Sequence, residues 1–286
     1  MLDPASPSTR RTYAMGTLAV VIAASSWGLW SLSVRPAALP AMTFALIVFV
    51  VMGVVTLPAV ALSAPATWSR RALLLLFMNG VWDAVNVLTF FGALRETTVA
   101  VAVLTHYLAP VLVAVMAPSV DGERVRGAVP GAIIACAGLT LVLEPWRGEV
   151  QLLGALLGTV SAFAYAGNVF TVRRLVPLIG APRVIAYHSF VAAVLVAPFA
   201  IHTGVVPGAE ALAWSVSGAI VLGAASGVLY VRGLAVIGAA RAAMLAYAEP
   251  VVAVVVGALA WGEPVGALAL AGVALIVGSG VYVAKP

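Results

Sequence analysis

The amino-acid sequence predicts an all-α integral membrane protein of about ten transmembrane helices, arranged as two inverted five-helix repeats. Three observations carry this. Hydrophobic residues make up 63% of the 286 residues and charged ones 9%, with a mean hydropathy of +1.13, more apolar surface than a soluble domain can bury. The apolar residues fall in runs of roughly 17 to 25, the length that crosses a ~30 Å hydrocarbon layer as a helix. The second half of the chain repeats the first at an offset close to 140 residues.

The runs follow one another between breaks of Arg, Pro, Gly and acidic residues. Met1 to Thr12 is polar, and no small-residue cleavage site follows a short apolar core. Residues 1–13 therefore read as a cytoplasmic tail and the first run, 14–34, as an uncleaved anchor. Arg35, Pro36 and Pro40 separate it from the second run, 41–62, and Arg70 with Arg71 introduces the third, 72–94. The fourth, 97–117, stops short of Asp121 and Glu123, and the fifth, 127–143, stops at Glu144. The sixth, 150–171, ends before Arg173, and the seventh covers 183–202. Arg232 closes the eighth, 211–231, Glu263 follows the ninth, 240–260, and the tenth is 265–283. The two repeats then occupy 14–146 and 147–286.

A transmembrane β-barrel would write short strands of alternating polarity, whereas these runs are continuous and rich in Ala, Leu and Gly. Small residues suit close helix contact in a bilayer. The pI near 9.8 could suggest nucleic acid, but the distribution of cations points elsewhere. With a cytoplasmic N-terminus, Arg10, Arg11, Arg70, Arg71, Arg124, Arg126, Arg173, Arg174, Arg183, Arg232, Arg241 and Lys285 fall inside, and only Arg35, Arg95 and Arg147 outside. That is the positive-inside bias of a multi-pass chain with both termini in the cytoplasm, so the partner is the lipid bilayer and not nucleic acid. Cys136 is the single cysteine, which excludes an intrachain disulfide and any multi-cysteine metal site. It reads as a packing residue.

The repeat is specific. Aligning Pro110 with Pro250 superposes Leu94 on Leu234, Ala100 on Ala240, Tyr107 on Tyr247 and Glu123 on Glu263, while residues 16–35 run alongside 154–173. An odd number of crossings per copy inserts the second copy from the opposite face. Inverted halves of this kind support alternating access, because exchanging their conformations turns an inward-facing molecule outward. Pro110 and Pro250, in the middle of the fourth and ninth runs, each remove a helical hydrogen bond and are expected to bend their helices there, as shaping or gating elements.

Polar side chains inside these runs are the candidate site residues, because a lone carboxylate in lipid costs several kcal/mol unless paired, protonated or facing water. On the third helix Asn79, Trp82, Asp83, Asn86 and Phe90 recur at three- and four-residue spacing, one face. Ser161, Tyr165 and Asn168 share a face of the sixth, and Trp27, Trp30 and Ser31 lie on the first. His106 lies one turn before Pro110, Glu249 immediately precedes Pro250, and Tyr107 and Tyr247 are symmetry mates between them. Together Trp27, Trp30, Asn79, Trp82, Asp83, Asn86, His106, Tyr107, Tyr165, Asn168, Tyr247 and Glu249 form the expected substrate site, a wet pocket at the midplane, with Asp83, His106 and Glu249 as proton-coupling candidates. Tyr187 with His188 is a weaker pair, and His202 reads as an exposed helix end.

Catalytic chemistry finds no support. There is no GxSG, no HExxH and no phosphate-binding loop, and the three histidines are isolated; no cofactor or metal is implied. A channel would want a filter-like loop or charge ring, which the sequence lacks.

Trp27-Gly28, LAPVLVAVMAPSVDGERV (108–125) and AEPVVAVVVGALAWGEPV (248–265) resemble the ten-helix, EamA-type branch of the drug/metabolite transporter superfamily, across nearly the whole chain. The resemblance implies a central cavity surrounded by helices one to four and six to nine, with five and ten peripheral. It implies a carrier of amino acids, other metabolites, nucleotide sugars or drugs, often working outward across the bacterial inner membrane. A homodimer, otherwise a monomer, is expected. An exporter of an amino acid-like metabolite is the first expectation, with cationic drugs or aromatic amines, and then a channel-like facilitator, as alternatives. The halves differ in charge: Ala109 stands opposite Glu249, and Gly223 opposite Asp83.

Overall fold

The computed structural model describes residues 7–284. The described residues form helices throughout, ten of them, continuous or broken, long and apolar enough to cross a membrane. The first span comprises α1 (Pro7–Trp27) and α2 (Ser31–Ala37); the second is α3 (Ala41–Ala61) and the third α4 (Arg70–Glu96). The fourth is split into α5 (Val99–His106) and α6 (Ala109–Val120), and the fifth is α7 (Ala128–Leu143). In the second half α8 (Leu152–Ile179) and α9 (Ala181–His202) are continuous. The eighth span joins α10 (Ala209–Gly218) through a π-helical segment, Ala219–Ala225, to α11 (Ser226–Ile237). The ninth is α12 (Ala239–Leu245) with α13 (Ala248–Trp261), and the tenth is α14 (Ala267–Ala284).

Three boundaries differ from the sequence expectation. α1 starts at Pro7, so the polar stretch through Thr12 is helical from that point; Met1–Ser6 and Lys285 lie outside the described residues. The sixth span continues past Arg173 and Arg174 to Ile179, because acids across the bundle meet both guanidinium groups and let the helix carry them. The eighth span is also longer, Ala209–Ile237, since Arg232 is exposed on the helix surface and does not end it.

Helix packing repeats across the halves. The third span packs on the sixth and the eighth on the first; the third on the seventh and the eighth on the second; the fourth on the sixth and the ninth on the first. The second and seventh, fourth and ninth, and fifth and tenth pair with their own counterparts. Exchanging the halves leaves this map unchanged, the signature of a pseudo-twofold axis passing between self-paired spans. Small residues permit the approach. In the fifth–tenth crossing a β-carbon on Gly138 would stand 2.6 Å from the Gly272 carbonyl oxygen. Outward-facing Leu73, Leu74 and Phe77 on α4 are exposed while Asn79 on the opposite face is fully buried, so this helix turns its oil to lipid and its amides to the bundle.

Candidate functional site

The matched prolines do more than bend their spans. Each span breaks completely, at Tyr107–Leu108 and Ala246–Tyr247, and Pro110 and Pro250 fall in the first turns of α6 and α13. At that position the missing N–H would have no helical partner anyway; the chain stops one helix and starts another. The break residues meet at the axis: the Tyr247 hydroxyl donates to the Tyr107 carbonyl at 2.8 Å, and the two rings lie 5.8 Å apart.

Beside this contact is a cavity of about 10 Å³ lined by His106, Tyr107, Ala109, Pro110, Tyr165, Ala246 and Glu249. It holds about one water, far below the several hundred Å³ of a metabolite site. The cavity at these residues is thus far smaller than the wet midplane pocket that the sequence led to expect. Ring packing explains it: His106 lies against Phe90 (4.7 Å), Tyr107 (5.4 Å) and Tyr165 (5.9 Å), and Tyr165 reaches the Tyr230 hydroxyl at 3.4 Å, with Trp27 tilted against Tyr230 at 4.9 Å. Glu249 enters the cavity without an ion-pair partner among the described residues.

The polar stripe on α4 does not line this cavity. Asp83 sits instead in a seam with α8 and α9, where the Asn168 side-chain amide donates to one carboxylate oxygen at 2.7 Å and His188 Nε2 meets the other at 2.6 Å. The second ring nitrogen of His188, Nδ1, lies 2.6 Å from the Val184 carbonyl. A carbonyl only accepts, so Nδ1 carries a proton, and the short Nε2 contact to a carboxylate then requires a second proton shared between His188 and Asp83. Sharing that proton leaves the pair neutral overall, which removes the cost of a bare carboxylate in the bilayer.

Asn86, one turn along α4 from Asp83, is tied to the cavity side. Ser161 donates to the Asn86 amide oxygen at 2.7 Å, and its hydroxyl oxygen lies 2.7 Å from His106 Nδ1; with its only proton committed, Ser161 accepts from His106. Other expected residues fall elsewhere. Trp30 stands edge-on to Phe44 at 5.9 Å, Trp82 packs over Gly167, and Asn79 is buried with neither amide atom partnered. Thus His106, Tyr107, Tyr165, Glu249 and Pro110 share one cavity; Asp83 and Asn168 share the seam; Trp30, Asn79 and Trp82 belong to neither. Tyr187 packs on Trp68 (5.9 Å), and His202 is the exposed last residue of α9.

Sequence reasoning underweighted His188 and missed Tyr230, since neither belongs to a repeated polar face. At the membrane faces it aligned Arg35 with Arg173 and Glu123 with Glu263 without pairing them. The structure joins Arg173 to Glu123 (2.8 Å) and Arg35 to Glu263.

Comparison with known proteins agrees with this architecture. A transporter of Archaeoglobus fulgidus described as uncharacterized is 30% identical over 206 residues, 71% of this chain and 73% of that protein. Two strains of Pseudomonas aeruginosa each carry a pseudopaline exporter, CntI, 27% identical over 211 residues, 73% of this chain and 74% of theirs. A solved crystal structure superposes with a TM-score of 0.80 at 21% identity, covering 94% of this chain and 98% of that one, which extends the likeness to the whole fold. Both halves, residues 14–144 and 152–284, match the EamA-like transporter family, and this multi-pass membrane protein belongs to it.

Proposed function

We propose that the protein is a secondary active carrier that exports a small metabolite by alternating access, with an amphipathic amino acid as the first candidate. The observation that carries this reading is the pair of broken spans meeting at Tyr107 and Tyr247 beside Glu249, between halves whose packing is interchangeable. Discontinuous helices at matching positions of inverted repeats are where carriers place their substrates. Separation of the fourth and ninth spans would widen the small cavity and offer Glu249 to a substrate ammonium, with His106, Tyr107 and Tyr165 as ring walls. The relatives described as exporters favour outward movement. The cation distribution favours a bacterial inner membrane with both termini in the cytoplasm, and self-association beyond a monomer is limited to a homodimer in this reading.

Protonatable groups are available for coupling at two separate places, Glu249 with His106 at the cavity and Asp83 with His188 in the seam. A second reading, export of a cationic drug or aromatic amine, is favoured by the same carboxylate without an ion-pair partner among aromatic rings. Counterflow in proteoliposomes, using a labelled panel of amino acids and quaternary amines with and without a pH gradient, tests both. Saturable counterflow of an amino acid supports the first reading and of an amine the second. Flux that never saturates would point to a channel-like facilitator.

A further inference from the structure

The two faces of the bundle carry corresponding ion pairs. Arg35 and Arg173 are equivalent at an offset of 138, and Glu123 and Glu263 at an offset of 140, so Arg173–Glu123 on one face and Arg35–Glu263 on the other are one contact written twice. The local geometry repeats too. Gly122 and Gly262 adopt φ of +68° and +65°, values that favour glycine. The next residue, Glu123 or Glu263, donates its backbone N–H to Ala117 or Gly257 at 3.2 and 3.0 Å. Each acid follows the end of a broken span, and each pair ties one half of the chain to the other.

The surroundings are unequal. On the first face Glu123 also accepts the Ala239 backbone N–H at 2.9 Å, so a single carboxylate binds the end of the fourth span to the end of the sixth and the start of the ninth. Asp121 adds contacts to Arg173 (3.5 Å) and Arg174 (3.1 Å). At the position of Asp121 the other half has Trp261, over which Arg35 stacks at 4.8 Å. The approach of Glu123 needs Gly238, whose φ is +92° and where any β-carbon would collide with the carboxylate. Its counterpart is Thr98, which caps its own helix through Val101 N–H at 3.3 Å. The side chains are 30% and 11% exposed in the Arg173–Glu123 pair, against 49% and 51% in Arg35–Glu263.

We propose that Arg173–Glu123 and Arg35–Glu263 are alternating latches of one cycle, and that Asp121 and Gly238 make the Arg173 face the one that rests closed. This rests on the carrier reading for the cycle, while the resting bias concerns the empty protein alone. Opening the Arg173 face breaks every contact of a guanidinium and a carboxylate that are largely withdrawn from water. Opening the other face breaks a half-exposed pair, a kind that is weak, together with the Arg35 stack on Trp261 and the hydrogen bond that the Trp261 indole donates to Ser31 at 3.1 Å.

The test is substrate-free. In a Cys136→Ala background reconstituted in liposomes, spin labels at positions 124 and 232 report on the Arg173 face, and labels at 96 and 266 on the Arg35 face. Electron–electron double resonance should give one short, dominant distance for the 124–232 pair. Arg173→Ala should move most of that population to a longer distance, and Arg173→Lys, which keeps the charge, should restore much of the short one. Arg35→Ala should leave it in place. Thermal melting of each variant separates an opened face from misfolding; if Arg173→Ala is not monodisperse, Glu123→Gln serves in its place. A folded Arg173→Ala or Glu123→Gln protein with an unchanged 124–232 distance overturns the proposal, as does an Arg35→Ala protein that opens the same face. Neither result depends on finding a transported solute, so failure of the flux assay and failure of the latch remain distinguishable.

Discussion

Glu249 and Asp83 are both acids inside apolar spans, yet their surroundings assign them different work. Each carboxylate oxygen of Asp83 has a partner, Asn168 for one and His188 for the other, whereas Glu249 opens onto a cavity without a cationic partner among the described residues. Glu249→Gln keeps size and polarity but removes the charge. A charge-assisted hydrogen bond contributes about 1.5–3 kcal/mol, so counterflow of an ammonium-bearing substrate should fall roughly ten- to a hundredfold while yield and melting temperature stay near wild type. Wild-type kinetics in that variant would remove Glu249 from recognition. At Asp83 the expectation concerns stability: Asp83→Ala strands His188 in the seam, and losing one member of a buried pair costs about 3–5 kcal/mol. Asp83→Leu combined with His188→Leu removes both members of the pair, leaving only the Asn168 amide without its acceptor, and should melt above Asp83→Ala in detergent, the sign of a coupled pair.

At the level of helices, all ten crossings were legible in the run lengths, because lipid allows few alternatives to a long apolar helix. Breaks and seams were not. Pro110 and Pro250 announced a disturbance, but whether a proline bends a helix or starts a new one depends on the neighbour that takes the freed carbonyls, and Tyr247, donating to Tyr107, comes from the other half of the chain. The π-helical turns at 219–225 left no proline or polar signal; there the Ser226 hydroxyl bonds the Val221 carbonyl five residues back (2.9 Å), and Gly223 lies against Met52 where the first half places Asp83 against His188. The fifth and tenth spans meet through Gly138 and Gly272, each backing on the other's carbonyl. Gly272→Leu should destabilise by about 1–3 kcal/mol through overpacking, read as a lower melting temperature, with little effect on substrate affinity because this crossing is remote from the cavity.

For the molecule as a whole, the duplication was the most legible feature, and it foretold the interchangeable packing. The contents of the centre were less so: one-sided residues such as Glu249 and His188 have no partner in the repeat, so only three-dimensional contacts divide the expected single pocket into a cavity and a separate seam. The cavity's lone carboxylate has an electrical consequence. If the spans around it alternate, Glu249 need not travel far; the water it communicates with changes side, and the membrane field then acts on whatever net charge it holds. A full traverse of one charge corresponds to about 2.3 kcal/mol per 100 mV. An occupant bearing one positive charge cancels that work, leaving the return of the empty, ionised site as the step on which voltage acts.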